Sequence, residues 1–246
     1  MKRAILSDIH ANLEALTACL AHATKHGANE FAFLGDLVGY GADPQACLEL
    51  IRSHAERGAL VLRGNHDDAA LGGLCEDMNF VAREAAIWTR AQLSAGERDF
   101  LSGLPYEIKQ AGQHFVHASA HQPTQWEYIA SDTAALRCLA ATSAGRIFAG
   151  HVHHPVWYFS AQARVAVFQP QAGIPVPLSA SRRWLLLTGA VGQPRDGNPA
   201  AAYLLFDETH ALLTHYRVPY DWRSAAAKIR AAGLPDSLAT RLAQGQ

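Results

Sequence analysis

The 246-residue chain lacks a charge excess: 21 Lys plus Arg stand against 22 Asp plus Glu, a formal net charge of −1 at pH 7. That balance excludes a global field that would gather nucleic acid or hold an anionic membrane surface. An anionic substrate must therefore be held by local charge. The chain also lacks an apolar run of membrane-spanning length, and the stretch in MKRAILSDIH is too short for a secretory h-region. Its four cysteines, Cys19, Cys47, Cys75 and Cys138, have no paired spacing and read as reduced thiols. These absences point to a cytoplasmic protein with no membrane partner. No repeat, low-complexity segment or linker divides the sequence, so a single domain over 1–246 is expected, with a C-terminal helical tail at about 221–246. Hydrophobic residues make up 49% and charged residues 17%, which is enough apolar surface for a large core and too much for disorder. Histidine is the residue in excess, at 13.

Apolar periodicity sets out the order of elements. RAILSD predicts a buried strand over 2–6 that runs into Ser7-Asp8. Leu13, Leu16, Cys19, Leu20 and Ala23 recur at helical spacing until Gly27. EFAFLGD predicts a second strand, again ending in an aspartate, and Asp43-Pro44 opens a second helix as N-cap and first helical residue. ALVLRGNHD predicts a third strand. This β-α-β-α-β order is that of a parallel sheet with helical crossovers. NFVAREAAIWTRAQL and SAGERDFLSGLP read as helices, the second with a Ser94/Glu97 capping box. YEIKQAGQHFVHAS predicts a hairpin turning at Ala111-Gly112, DTAALRCLAATSAG a short helix and RIFAGH a strand. PVWYFS, ARVAVFQ, RRWLLLTGA, AAYLLFD and ALLTHYRV predict further strands, and 222–243 a helical tail broken at Gly233-Leu234-Pro235. The expected architecture is α/β with two packed sheets, parallel-rich first and antiparallel-rich second.

The chemistry gathers where strands end. In open α/β sheets, ligands bind outside the carboxyl ends of the strands. Asp8 and His10 follow the first strand, Asp36 the second, Asn65, His66 and Asp67 the third, His117 the hairpin, and His151 and His153 the next. A lone D-x-H also describes a helix cap, and a lone H-x-H describes strand alternation. Five such ends in order, each after an apolar run, make coincidence a poor explanation. In an extended segment residues i and i+2 share a face, so Asp8 with His10, and His151 with His153, can each reach one centre. Carboxylate, imidazole and amide form a mixed N/O donor set without thiolate, which suits Mn, Fe, Zn, Co or Ni rather than a soft structural zinc. Six or seven donors are too many for one ion and suit two ions about 3.5–4 Å apart that share a carboxylate. Asp36, mid-order, is the natural bridge.

DIH, GDLVG, GNHD, VH and GHVH, in this order, resemble the calcineurin-like metallophosphoesterases. GDLVGYGADP, LRGNHD and GAVGQPRDGNPAAAYLLFD are similar to its small bacterial branch of YfcE-type phosphodiesterases and relatives of diadenosine tetraphosphate hydrolases. The resemblance implies a four-layer α/β/β/α sandwich of two mixed sheets flanked by helices. It implies that Asp8, His10, Asp36 and His153 hold one metal ion and that Asp36, Asn65, His117 and His151 hold the other. His66 matches the family's non-ligand catalytic histidine and Asp67 its orienting partner. Two departures stand out: His117-Ala118 where the family often has HG, and Leu187-Thr188-Gly189-Ala190 where it has NPGS.

The implied activity is hydrolysis of a phosphodiester or phosphoanhydride by in-line attack of a metal-bridging hydroxide, with His66 as acid or transition-state stabiliser. Dinucleoside polyphosphates and cyclic nucleotides are alternative substrates. A non-catalytic metal-binding scaffold is the alternative from another class. The expected partner is a small phosphorylated molecule, with a nucleotide one option and nucleic acid disfavoured by the charge balance. Arg195 in GQPRDGNP and Tyr40 are candidates for contacting substrate. Trp126, Tyr128, Trp157 and Tyr158 default to core packing, although a base could stack on them. Arg63 could line the pocket, with core or rim roles equally open; His154 is expected at the surface or rim, and His121 is a candidate for the pocket mouth. Asp68 is expected to be a solvated residue opening the next segment.

Overall fold

Continuous apolar runs form strands here because both faces of each central strand are covered. Along β1 (Lys2–Leu6), Ala4 and Leu6 pack under helices while Ile5 faces the opposing sheet. The same alternation holds in β2 (Glu30–Phe33), where Phe33 lies under helices and Ala32 between the sheets. The computed structural model describes residues 1–73, 78–161 and 164–246. Cys75, and Ala163 at the start of an expected strand, lie outside them; Cys19, Cys47 and Cys138 are buried free thiols.

Between β1 and β2 runs α1 (Leu13–Lys25), capped by the Asn12 side chain, which accepts from the Ala15 N–H at 3.1 Å. After α2 (Pro44–Glu56) comes β3, which is only Leu60–Val61. The expected third strand therefore ends at Val61, before GNHD. Asn65 instead opens α3 (Asn65–Leu71), because Asp67 reaches back to the Gly64 N–H at 2.8 Å and fixes a helical first turn. Asp43 sits at the N-cap of α2, but its carboxylate pairs with Lys228 rather than capping. Helices α4 (Phe80–Gln92) and α5 (Ala95–Ser102) follow, the latter with its Ser94/Glu97 capping box. Strands β4 (Glu107–Gln110) and β5 (Gln113–Val116) form the hairpin, with positive φ at both Ala111 and Gly112, the geometry that matches strand twist.

The remaining elements are α6 (Asp132–Ala140), β6 (Arg146–Ala149), β7 (Trp157–Ala161), β8 (Arg164–Phe168), β9 (Pro175–Pro177), β10 (Trp184–Leu187), β11 (Ala201–Asp207), β12 (Leu212–Val218), α7 (Trp222–Ala231) and α8 (Asp236–Gln244). The sheets run β3-β2-β1-β11-β12-β9 and β4-β5-β6-β10-β7-β8. Each joins a parallel triplet to antiparallel neighbours: β1 with β2 and β3 in one, β5 with β6 and β10 in the other. The two sheets are thus both mixed, unlike the parallel-first, antiparallel-second order expected from the chain. The late strands β11 and β12 join the sheet of β1 because Arg3–Ile5 pair antiparallel with Leu204–Phe206. The prolines of β9 hide it from a strand pattern; an edge tolerates them because the missing N–H groups have no partner strand to serve.

Phe115, Phe148, Trp157, Leu186, Leu204 and Phe206 fill the space between the sheets. Helices α1 and α2 cover the first sheet, α6 covers the second, and α7 and α8 pack with α4 around Tyr40. The layers are those of the α/β/β/α sandwich. No described helix is long and apolar enough to cross a membrane.

His215 on β12 is 2% exposed, and neither ring nitrogen has a hydrogen-bond partner among the described residues. Burial lowers its pKa from 6.5 to about 4, so the unfolded chain takes up the proton first as pH falls. The stability present above the unfolded value is lost between about pH 6.5 and 4. Urea midpoints measured across this window should fall more steeply for the wild type than for His215→Leu; equal slopes would show that the residue is not coupled to folding.

Candidate metal centre

The two parallel triplets bring their carboxyl ends to one edge of the sandwich, where their loops are laced together. Asp8, His10 and Ala11 donate backbone N–H bonds to the Gly35, Asp36 and Leu37 carbonyls at 3.1, 2.9 and 3.1 Å. Gly150 N–H donates to the His117 carbonyl at 2.8 Å, and Val191 and Gly192 donate to Ser7 and Asp8 at 3.0 and 2.8 Å. These loops are left-handed rather than extended: φ is +55° at Asp8, +49° at His10, +49° at Asp36, +66° at His151 and +63° at His153. Such backbone costs on the order of 1–3 kcal/mol per residue and persists only where its surroundings hold it. Two glycines permit the close approach. A Cβ at Gly64 would lie 2.2 Å from Asp36 Oδ1, and one at Gly150 would lie 1.9 Å from Ser7 Oγ and 2.6 Å from Asp8 Oδ2.

Two buried groups of donor atoms result, one of Asp8, His10, Asp36 and His153 and one of Asp36, His117 and His151, each with its atoms within 4.8 Å of one another. Asp8 and His10 thus reach one group although their backbone is not extended. Asp8 and His10 meet through a left-handed turn, and His151 and His153 point to different groups. Asn65 lies beside the second group, its Oδ1 3.1 Å from His117 Nε2.

Hydrogen bonding shows what the groups are arranged to hold. His10 Nδ1 lies 3.3 Å from the Val38 carbonyl, His117 Nδ1 3.0 Å from that of Leu34, and His153 Nδ1 2.6 Å from that of Gln193. His151 is reversed, with Nε2 3.0 Å from the Trp126 carbonyl. A carbonyl only accepts, so the anchored nitrogen carries hydrogen and the other ring nitrogen presents a lone pair. The lone pairs then face acceptors: His10 Nε2 and His153 Nε2 lie 3.1 Å apart, and Asp36 Oδ2 is 3.6 Å from His10 Nε2 and 3.4 Å from His117 Nε2. Each buried acceptor without a donor costs roughly 1–3 kcal/mol. A cation among them removes that cost, and backbone-anchored imidazoles are the form in which histidine ligates metals. The residues fit metal ions.

The titration shifts follow the same crowding. Burial would raise Asp8, but His153 beside it holds the carboxylate below its usual range. Asp36 is likewise held down, by His117 and His66 against burial. Burial pushes His10 well down, and burial with His117 lowers His151 to about 3, leaving both neutral. His117 alone rises, to about 9, where the Asp36 carboxylate overcomes burial and a proton does what a metal cation would do.

His66 lies between the groups and the rim, and burial lowers it to about 4. Its backbone N–H donates to Asp36 Oδ1 at 2.8 Å, while Nδ1 is buried without a partner. The Asp67 carboxylate is engaged by backbone donors and makes no hydrogen bond to that ring. Its Oδ1 accepts from the Leu37 and Val38 N–H groups at 2.9 and 3.1 Å, and its Oδ2 from Gly64. The helical turn of α3 aims the carboxylate back at the loop. Burial and the nearby Asp36 push it up to about 8, against the Gly64 and Val38 N–H donors. Asp68 is not merely solvated: it pairs with Arg63 at 3.3 Å and accepts from the Tyr106 hydroxyl at 3.2 Å.

Tyr40 and Arg195 both lie beside the donor groups. The Tyr40 ring packs 4.6 Å from His10 and 4.3 Å from His66, centroid to centroid, and the Arg195 guanidinium carbon lies over the ring, 5.6 Å from its centroid. Gln193 was not anticipated; its carbonyl anchors His153 and its side-chain oxygen takes Arg195 Nη2 at 3.0 Å. Trp126 contributes through its backbone carbonyl. Tyr128, expected in the core, is 54% exposed and stacks on His151 at 3.9 Å. Trp157 and Tyr158 are core residues, as their apolar runs suggest.

Residues 1–155 match the family described as calcineurin-like phosphoesterase. The chain is 36% identical over 248 residues to an uncharacterized protein of Methanocaldococcus jannaschii, covering 99% of this chain and 98% of that one. It superposes on the crystal structure of a metallophosphoesterase from Sphaerobacter thermophilus with a TM-score of 0.90 at 40% identity, over 100% and 99% of the two chains. A hypothetical protein from Pyrococcus horikoshii OT3 shares the fold, with a TM-score of 0.79 at 18% identity over 100% and 98%.

Gly64→Ala should displace Asp36 and destabilise the protein, since the added carbon meets that residue's backbone nitrogen at 2.3 Å as well as its carboxylate. A drop in melting temperature of several degrees, corresponding to about 1–3 kcal/mol, is the expected reading. Gly96→Ala, where the added carbon meets nothing and the backbone is not left-handed, serves as the control.

Proposed function

Because the chain belongs to the calcineurin-like phosphoesterase family, we propose that it is a dinuclear-metal-dependent phosphoesterase acting on a phosphodiester or phosphoanhydride. The observation that carries this reading is the pair of buried acceptor groups that share Asp36. In it Asp8, His10, Asp36 and His153 hold one ion, and Asp36, Asn65, His117 and His151 hold the other. When bound, two such ions supply Lewis acidity toward phosphoryl oxygens and lower the pKa of a water molecule. The chain's own contribution is orientation: the Val38, Leu34, Gln193 and Trp126 carbonyls fix four imidazoles with their lone pairs inward.

Among the described residues no carbonyl anchors the His66 imidazole, which leaves its ring to hydrogen-bond or protonate the leaving oxygen. Asp67 acts through the backbone, holding the 36–38 loop and the first turn of α3, and so places both Asp36 and His66. Arg195, steadied by Gln193 and the face of Tyr40, supplies the local positive charge that the whole chain lacks. The presence of His66 beside the full donor set favours an enzyme over a non-catalytic metal-binding scaffold.

Turnover of bis-p-nitrophenyl phosphate after chelation and resupply of Mn, Fe, Zn, Co or Ni tests the reading, and inactivity with every metal overturns it. Asp36→Asn should lose activity and bound metal together; retention of both ions would refute the shared carboxylate. His66→Ala should keep its metal yet lose about 10²–10⁴-fold in kcat. Activity within a few-fold of wild type would remove the assigned role.

A further inference from the structure

The loop over 121–130 passes across the second donor group, and its anchors do not include its most exposed aromatic side chain. Ile129 is 1% exposed and locks the loop into the core beside α6. The Trp126 carbonyl takes the His151 Nε2–H, and the Trp126 ring meets His117 edge-on at 5.8 Å. Trp126 itself is held at φ +54°, a conformation that turns the following residues back over the site. Tyr128 then lies nearly parallel to His151, 27° between ring planes and 3.9 Å between centroids. One face of the phenol is covered by an imidazole of the centre, so its 54% exposure falls on the opposite face and the edge. A ring so exposed adds little to folding. It offers a flat, rigid surface one ring's thickness from a group assigned to hold metal.

We propose that Tyr128 is a specificity-determining residue whose outer face stacks the planar ring of the substrate, a nucleobase, while the phosphoryl group lies at the shared-carboxylate centre. This rests on the hydrolase reading and narrows it to nucleoside phosphoesters or phosphoanhydrides. Stacking is sequence-tolerant because every base has a π-face, so Tyr128 selects for a base without selecting which one. Across the mouth, Arg195 over Tyr40 is positioned for a further anionic oxygen of the same molecule.

The test compares adenosine 5′-monophosphate with ribose 5-phosphate, which carry the same sugar phosphate and differ in the base. Dissociation constants are measured by calorimetry on the Mn²⁺-supplemented protein. The nucleotide should bind about tenfold tighter to wild type, Tyr128→Leu should abolish that ratio, and Tyr128→Phe should keep it. Phe restores the aromatic face without the hydroxyl, so its rescue separates stacking from loop structure. Equal binding of the two ligands to wild type, or an unchanged ratio in Tyr128→Leu, overturns the proposal. Turnover of bis-p-nitrophenyl phosphate on the same samples separates the two ideas. Turnover without discrimination removes the role of Tyr128 and leaves the hydrolase reading, whereas discrimination without turnover under any metal removes the hydrolase reading and Tyr128's place in it.

Discussion

Asp36 is the carboxylate around which the rest of the site is built. One of its oxygens accepts the His66 N–H at 2.8 Å, and the other lies within 3.6 Å of imidazole nitrogens from two different loops. Its backbone carbonyl accepts from His10. Its backbone sits in a left-handed conformation against Gly64, at a separation that admits no side chain there. Three chain segments thus converge on one residue. A buried carboxylate without compensation would protonate or be expelled. Its survival at the meeting point of two acceptor groups is the reason to read cations into the design.

The fold supplies that meeting point by symmetry of use. Each sheet contributes one parallel triplet, and parallel strands deliver their carboxyl-end loops to the same edge. Hydrophobic side chains between the sheets, Phe148 and Phe206 among them, set the spacing of those edges. The strained residues are tolerated because the loops are cross-laced by backbone hydrogen bonds and backed by tightly packed glycines. The C-terminal helices reach the same region from outside, through α7 and α8 around Tyr40.

Much of this is legible in residue order. Strands β1, β2, β6, β10 and β11 and helices α1, α4, α6, α7 and α8 follow from period and caps, because buried strands and amphipathic helices carry their own pattern. The errors have local causes. GNHD reads as the end of a strand because an apolar run precedes it, whereas the bond that the Gly64 N–H donates to the Asp67 carboxylate starts a helix there. Strand β9 is masked by its two prolines. The bonding of Asp67 is hidden from the sequence because its neighbour in sequence is His66, whereas a helical turn points the carboxylate at residues 37 and 38.

The sequence by itself determined the donor inventory: which acids and imidazoles follow which strand, the absence of thiolate among them, and the family to which that order belongs. Side-chain chemistry and strand period are local properties, so they can be read without coordinates. Only the tertiary structure decided which strands share a sheet and that left-handed turns carry Asp8, His10, His151 and His153 to their groups. It alone showed that backbone carbonyls of Leu34, Val38, Trp126 and Gln193 fix the imidazoles, and that Tyr128 stands at the mouth rather than in the core. A carbonyl is identical in every residue and a ring's exposure depends on what lies across from it. Both are therefore settled by long-range packing, which residue identities do not encode one position at a time.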